Sequence, residues 1–62
     1  MKKIKKVDII PHYDYTVTVT FEDDTRVSFQ RVRFARGNRM PNNSGVGMTL
    51  PEFEILLNSH RH

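Results

Sequence analysis

The side chains with the clearest chemical potential in this sequence are its lysines and arginines, which form two groups. The first group lies at the N-terminus and the second between positions 26 and 39: Lys2, Lys3, Lys5, Lys6; and Arg26, Arg31, Arg33, Arg36, Arg39. All seven acidic residues lie outside both groups, and the net charge is +3. Segregated positive charge is typical of a surface that binds a polyanion. The charge pattern therefore predicts a nucleic-acid-binding surface made of these nine residues.

Binding of a single strand requires a positive groove that follows the phosphates and aromatic rings on which bases stack. Arginine suits the first task, because its planar fork bonds phosphate and also stacks on bases. We predict that Phe34 and Tyr13 provide the stacking rings, with Tyr15 as a weaker candidate because its periodicity favours the core. A place in the core or in a dimer interface is the alternative for Phe34.

The remaining polar residues do not form a catalytic set. The three histidines lack the spacing of metal ligands, and two of them end the sequence. Asp23 and Asp24 are adjacent carboxylates in a segment of turn formers, where solvated turns are the usual outcome. Gly45-Val46-Gly47 lacks the rest of a phosphate-loop motif. We therefore expect a non-enzyme without cofactor or metal.

The chain has 62 residues and no cysteine, so it is one domain that cannot use disulfides. A monomer of this size buries only ~60% of the surface that its unfolded chain exposes. A second copy would enlarge the core, so we expect a homodimer. No stretch has the ~7–15 apolar residues of a signal peptide core or the ~20 of a membrane span. We therefore expect an intracellular protein, in a bacterial cytoplasm or nucleoid or in an infected host cell, with no membrane partner.

Two adjacent segments have the alternating pattern of β-strands. Residues 15–21 place aromatic and aliphatic side chains at odd positions and threonines at even positions. In residues 26–34 the apolar positions change from odd to even, which predicts a β-bulge near Gln30 and Arg31. The core positions on both strands require a loop with an odd number of residues, and we place it at 23–25, with Glu22 opposite Arg26.

Two further strands and a helix complete the predicted architecture. Val7–Ile10 is extended and ends at Pro11, and Val46–Met48 is a short strand after a loop rich in turn formers. A capping box formed by Thr49 and Glu52 predicts a helix from 50 to about 59. The expected layout is thus a basic arm at 1–6, a β-sheet at 7–48 and a helix at 49–60. An apolar stripe on this short helix is the predicted dimer interface: Phe53, Leu56 and Leu57.

The segment from Pro41 to Leu57 resembles the single-stranded-DNA-binding domain of the transcriptional coactivator family called positive cofactor 4. Gly45-Val46-Gly47-Met48 lies where that family has Gly-Ile-Ser-Leu, and the Pro-Glu pair at 51–52 is followed by Phe53 at the family's Trp position. Residues 27–31 resemble its Val-Asp-Ile-Arg strand, although Gln30 replaces a basic residue. The loop at 42–44 also lacks the family's lysines and arginines.

The resemblance implies a curved, four-stranded antiparallel sheet with one short C-terminal helix, an α+β fold. It also implies that two copies pair through helix and strands, and that their β-ribbons hold single strands of melted DNA. Members of the family act in transcription, replication or repair, so proteins of those processes are expected partners, and phage and bacterial relatives look similar.

The resulting hypothesis is sequence-nonspecific binding of single-stranded DNA or RNA by a homodimer. The alternative is a small protein-interaction module, such as a phage or bacterial regulator that contacts a host factor through its sheet edge. Duplex binding is disfavoured, because the only predicted helix carries Glu52 and Glu54, which a phosphate backbone repels.

Overall fold

The computed structural model describes residues 2–11 and 14–61, which form a three-stranded antiparallel sheet and a C-terminal helix. The strand order is β1-β2-β3. The elements, in chain order, are β1 (Ile4–Pro11), β2 (Tyr15–Phe21), β3 (Arg26–Val32) and α1 (Leu50–His60). The fold is therefore α+β with the helix where the sequence placed it, but the expectation of four strands is wrong.

The predicted fourth strand, Val46–Met48, is part of a series of turns. Gly45, just before the segment, and Gly47, within it, have φ values of 87° and 90°, which an extended strand does not allow. The segment still lies beside β1, because the Gly47 N–H donates to the Ile4 carbonyl and the Ile4 N–H donates to the Met48 carbonyl, both at 2.8 Å. The chain therefore contacts the edge of β1 with a loop instead of a strand.

The central strand β2 separates a buried face from a polar face, as its alternation predicts. Val17, Val19 and Phe21 are buried, and the three threonines between positions 16 and 20 are half-buried on the opposite face. Val19 pairs with Val7 of β1 and with Val27 of β3, so the apolar residues of all three strands share one face. Helix α1 covers that face and completes the core.

The β2–β3 hairpin has a loop of odd length, as expected, but one position earlier than predicted. The Phe21 N–H donates to the Thr25 carbonyl at 2.9 Å, so the loop is 22–24. Asp24 adopts a left-handed conformation with φ of 69°, which closes this three-residue turn. Arg26 consequently pairs with Thr20, and the predicted pairing of Arg26 with Glu22 is wrong.

The predicted β-bulge in β3 is confirmed. Val17 pairs with Phe29, but Tyr15 pairs with Val32, so one extra residue of β3 is accommodated between the two pairs. Arg31 has φ of 55°, a left-handed conformation that is uncommon for a residue with a side chain. The bulge turns Val32 into the core, where it is 1% exposed.

Helix α1 begins where the capping box predicts. The Glu52 carboxylate accepts from the Thr49 N–H at 3.0 Å and from the Thr49 hydroxyl at 2.9 Å. Phe53 and Leu57 are 0% and 2% exposed in the single chain, and Leu56 is partly buried against the same core. Phe53 and Leu57 of the predicted dimer stripe therefore pack inside the monomer, and Leu56 keeps part of its surface exposed.

Candidate nucleic-acid interface and the open sheet edge

The five arginines of the predicted site lie on or just after β3, and their side chains are exposed. Within the described part of the chain, no carboxylate oxygen lies within 4.0 Å of the side-chain nitrogens of Arg26, Arg31 or Arg36. Arg33 donates from Nε to Asp14 Oδ1 at 3.1 Å. Arg39 donates from Nη1 to the Tyr15 hydroxyl at 3.4 Å, and this contact raises the pKa of Arg39 above its ordinary value.

The lysines of the predicted site have a different environment, since three of the four are paired with carboxylates. Lys2 Nζ lies 3.2 Å from Asp23 Oδ2, and Lys5 contacts Asp24 at the same hairpin tip. Lys6 Nζ lies 3.8 Å from an oxygen of its strand neighbour Asp8. β1 begins at Ile4, so Lys5 and Lys6 are strand residues and not part of a free arm. Exposed pairs of this kind contribute little stability, but they neutralise the positive charge around the lysines.

The hairpin tip carries a carboxylate that resists protonation. The Thr25 hydroxyl donates to Asp23 Oδ1 at 2.6 Å and the Thr25 N–H donates to the same oxygen at 3.2 Å. These bonds, with a smaller contribution from Lys2, lower the pKa of Asp23 to about 2. Asp23 therefore stays ionised well below neutral pH, and the carboxylates of the tip offset the charges of Lys2 and Lys5, so the tip offers a polyanion less positive charge than the arginine side does.

The predicted stacking residue Phe34 is half-buried and packs against the core. Its ring meets the Tyr15 ring edge-to-face, with centroids 5.0 Å apart and planes at 64°. Phe34 also forms an isolated β-bridge with Arg61, after the helix. Tyr13, the other predicted stacking residue, lies outside the described residues. The aromatic pair of Phe34 and Tyr15 thus has a structural role and presents only part of its surface.

Tyr15 and Arg39 also line a cleft of about 230 Å³. It lies between the end of β1, the start of β2 and the loop that follows β3. Ile9, Pro11 and Asn42 contribute to the same wall. The cleft combines an aromatic ring, a guanidinium and a side-chain amide, which are groups that contact bases and phosphates. Most of its wall lies at the outer edge of β1, on the opposite side of the sheet from β3.

The outer edge of β1 is covered by the loop that follows Pro41. Asn42 Oδ1 accepts from the Ile9 N–H at 2.7 Å, and Asn43 Oδ1 accepts from the Val7 N–H at 3.2 Å. The Asn43 N–H donates to the Val7 carbonyl at 2.8 Å. The sequence did not reveal this structural role of the two asparagines. Their only local signal is a run of turn formers, and their partners lie more than thirty positions away.

The outer edge of β3 is open. The Phe21 N–H bonds Thr25, so alternation along the hairpin directs the main-chain groups of odd-numbered β3 residues toward β2. The N–H and carbonyl groups of Arg26, Ser28 and Gln30 therefore point away from the sheet. Among residues 2–11 and 14–61, no hydrogen bond from another segment reaches them. This open edge is defined here as the β3 edge.

An apolar strip runs along the β3 edge on the side that faces the helix. Val27 and Phe29 are half-buried and pack against the core, whereas their counterparts on β2 are fully buried. A cleft of about 340 Å³ begins at Val27 and continues over Leu50 and Pro51 at the start of α1. The edge therefore offers unpaired main-chain groups and unburied apolar surface at the same place.

Comparisons with protein-family models, curated proteins and solved structures give no match to this chain. In the described part of the chain, no helix has the length and apolar character to cross a membrane. No group of three or more His, Asp or Glu residues converges there as metal ligands. The assignment of function therefore rests on the geometry of the arginines, the β3 edge and the faces of the sheet.

Proposed function

We propose that the chain binds single-stranded nucleic acid, without sequence preference, along the arginine side of the sheet. The observation that carries this proposal is the set of exposed arginines without a carboxylate partner among the described residues, Arg26, Arg31 and Arg36, on and just after β3. Unpaired guanidinium groups attract phosphates without first breaking an ion pair. Each phosphate that they neutralise releases counter-ions, so affinity is expected to fall as salt rises.

The polar face of the sheet supports the same function. It carries a row of threonines on β2, and the Thr18 hydroxyl lies 3.4 Å from the Ser28 hydroxyl of β3. Hydroxyl groups bond phosphate and sugar oxygens, which hold the strand but carry no sequence information. The described strands place no aromatic side chain on this face, so base stacking falls to the Tyr15 and Phe34 end of the sheet. Phosphate contacts are therefore expected to contribute more of the affinity than stacking.

A preference for single strands follows from the shape and charge of the helix. Helix α1 carries Glu52 in its first turn and Glu54 on its exposed side, so it would be repelled from a major groove. A sheet surface with flexible arginines can instead follow the flexible backbone of an unpaired strand. Transcription, replication and repair expose such strands, and proteins of those processes would be the chain's partners.

The experiment is a fluorescence titration of labelled oligo-dT and a duplex of equal length over a series of salt concentrations. We expect tighter binding to oligo-dT and a linear fall of log affinity with log salt. The variant R31N should reduce the slope by about one unit for its lost phosphate contact, since Asn tolerates the left-handed backbone at this position. The variant K5Q is the matched control and should keep the slope, because Lys5 is already paired with Asp24. Equal or tighter duplex binding would contradict the proposal.

A protein-interaction module is the second candidate, and the open β3 edge is the observation that favours it. An extended segment of another protein could add to β3 as a further strand. Such binding would depend on main-chain hydrogen bonds and on Val27 and Phe29, so it would change little between low and high salt. Absence of any oligonucleotide binding, with retained folding, would favour this second candidate.

A further inference from the structure

The β3 edge combines two features that a monomer leaves unsatisfied. The main-chain groups of Arg26, Ser28 and Gln30 point outward, and Val27 and Phe29 between them are only half-buried. Proteins usually protect such an edge with a cover, a bulge or charge. Here the bulge at Arg31 limits the edge at one end and the charge of Arg26 marks the other, but the segment between them has no cover.

We propose that two copies of this chain pair antiparallel through their β3 edges, about a two-fold axis at Ser28. The result is one continuous sheet of six strands with about six new main-chain hydrogen bonds, two for each outward-facing residue pair. In this register Ser28 lies opposite the partner's Ser28, and Arg26 lies opposite the partner's Gln30. The contact uses the same patch on both copies, as a two-fold dimer requires.

Hydrogen bonding and charge together select this register. An axis at Val27 or at Phe29 would pair only two of the three outward-facing residues of each copy and give about four main-chain hydrogen bonds, whereas the axis at Ser28 gives about six. An axis at Arg26 would place two guanidinium groups directly opposite each other, which is destabilising. An axis at Gln30 would run the pairing into the bulge at Arg31. Only the axis at Ser28 places a neutral amide, that of Gln30, opposite each arginine.

The same register matches the apolar side chains. Val27 lies opposite the partner's Phe29, and Phe29 lies opposite the partner's Val27, on the face that α1 covers. Such aromatic and β-branched pairs are the favourable cross-strand combinations in a sheet. The parts of Val27 and Phe29 that each monomer leaves exposed would thus be buried against the partner. The small core of each monomer would become part of one larger core.

Dimerisation also moves the arginines from the edge to the centre of a surface. Arg26 and Arg31 of both copies would form one basic band across the middle of the joint sheet. Salt screens the repulsion among these cations, so the dimer should tighten as salt rises. Nucleic-acid binding should weaken over the same range. The two salt dependences have opposite signs, so failure of the dimer and failure of the proposed function can be distinguished.

The test uses the absence of cysteine from the chain, because any single cysteine variant has one thiol. In a hydrogen-bonded antiparallel pair, opposed Cα atoms are about 5.5 Å apart, which a disulfide can span. The variant S28C should therefore form a disulfide-linked dimer under mild oxidation. In Q30C, the matched control on the same edge, the two thiol-bearing residues are offset by about 13 Å along the strands. We expect S28C to cross-link at least about ten times faster than Q30C.

A second variant and a second measurement keep the test independent of disulfide chemistry. S28P removes only an N–H that points outward, so the β2–β3 ladder and the folded monomer should remain. Sedimentation should give a dimer for the natural chain and for S28A at high concentration, and a monomer for S28P. Equal cross-linking of S28C and Q30C, or a monomer for the natural chain at every concentration, would overturn the proposal.

Discussion

The two outer edges of the sheet differ in whether another segment bonds their main-chain groups. The edge of β1 is covered by a loop whose asparagines bond Val7 and Ile9, whereas the edge of β3 has no such cover among the described residues. The charges follow the same division, because the lysines of β1 are paired with carboxylates and most arginines of β3 are not. This difference is the ground for the proposal that a partner binds at the β3 edge.

The largest effect is expected from breaking the loop that covers β1. A Cβ on Gly45 would lie 2.7 Å from Cδ1 of the buried Phe53 ring, and the φ of 87° disfavours any side chain. Overpacking costs about 1–3 kcal/mol and the left-handed backbone about 1–2 kcal/mol more. We expect G45A to lose about 2–5 kcal/mol of unfolding free energy, measured by urea denaturation.

The control for this variant lies two residues away. Gly47 has nearly the same φ, 90°, but a Cβ added there would meet no atom within 4 Å beyond its own chain neighbours. G47A should therefore lose only the conformational part, about 1–2 kcal/mol. Equal losses for both variants would show that contact between the loop and the helix contributes nothing to closing the β1 edge.

The hydrogen bonds of the two edges should differ in a smaller but measurable way. N42A removes the acceptor of the Ile9 N–H, which is worth about 0.5–1.5 kcal/mol and should speed amide exchange at Ile9. S28A, on the open edge, removes an exposed hydroxyl whose contact is the Thr18 hydroxyl at 3.4 Å, and should stay within about 0.5 kcal/mol. A loss from S28A as large as that from N42A would mean that this hydroxyl contact stabilises the monomer as much as the Asn42 bond does.

Local patterns predicted much of this fold. The alternation of β2, the change from odd to even apolar positions around Arg31 and the capping box at Thr49 are properties of neighbouring residues, and each is found in the structure. The predicted β1 is too short, since the strand begins at Ile4 and includes Pro11. Pro11 fits there because the main-chain N–H positions of odd-numbered β1 residues face away from β2. A proline at such a position removes no hydrogen bond between the strands.

The differences arise where contacts between distant parts of the chain determine the local conformation or packing. Apolar residues at 46 and 48 suggested a strand, but Gly45 must approach the Phe53 ring closely and adopts a turn to do so. The apolar stripe of α1 suggested a dimer contact, but it is needed first by the monomer core. The open β3 edge cannot be predicted from the sequence of β3. It is open because no other described segment bonds its outward-facing main-chain groups, and that depends on the path of the whole chain.

The bulge at Arg31 allows a finer test of the open edge. Glycine adopts the left-handed conformation without a steric cost, so R31G should keep or raise stability, by up to about 1 kcal/mol. R33G is a control in the same segment and should lose about 0.5–1 kcal/mol through its backbone, which has no positive φ, in addition to the small contribution of its exposed contact with Asp14. Thermal unfolding of both variants tests this. A loss from R31G would mean that the arginine side chain itself stabilises the bulge.

The smallest effect concerns the hairpin tip. There Lys2, just before β1, contacts Asp23 in the loop that precedes β3. The pKa of Asp23 is lowered to about 2, first by the Thr25 hydroxyl, then by the Thr25 N–H, and least by Lys2. A carboxyl whose pKa is lowered by folding stabilises the fold at pH values above its pKa in the unfolded chain, about 3.9. This stability is lost as the pH falls toward 2. T25V should therefore raise the pKa of Asp23, measured by an NMR titration, more than K2M does. If K2M has the larger effect, the tip is held by its charge contact with β1 and not by the hairpin's own hydrogen bonds. In that case the end of β3 nearest the tip depends on β1, and the two edges are less independent than their hydrogen bonds indicate.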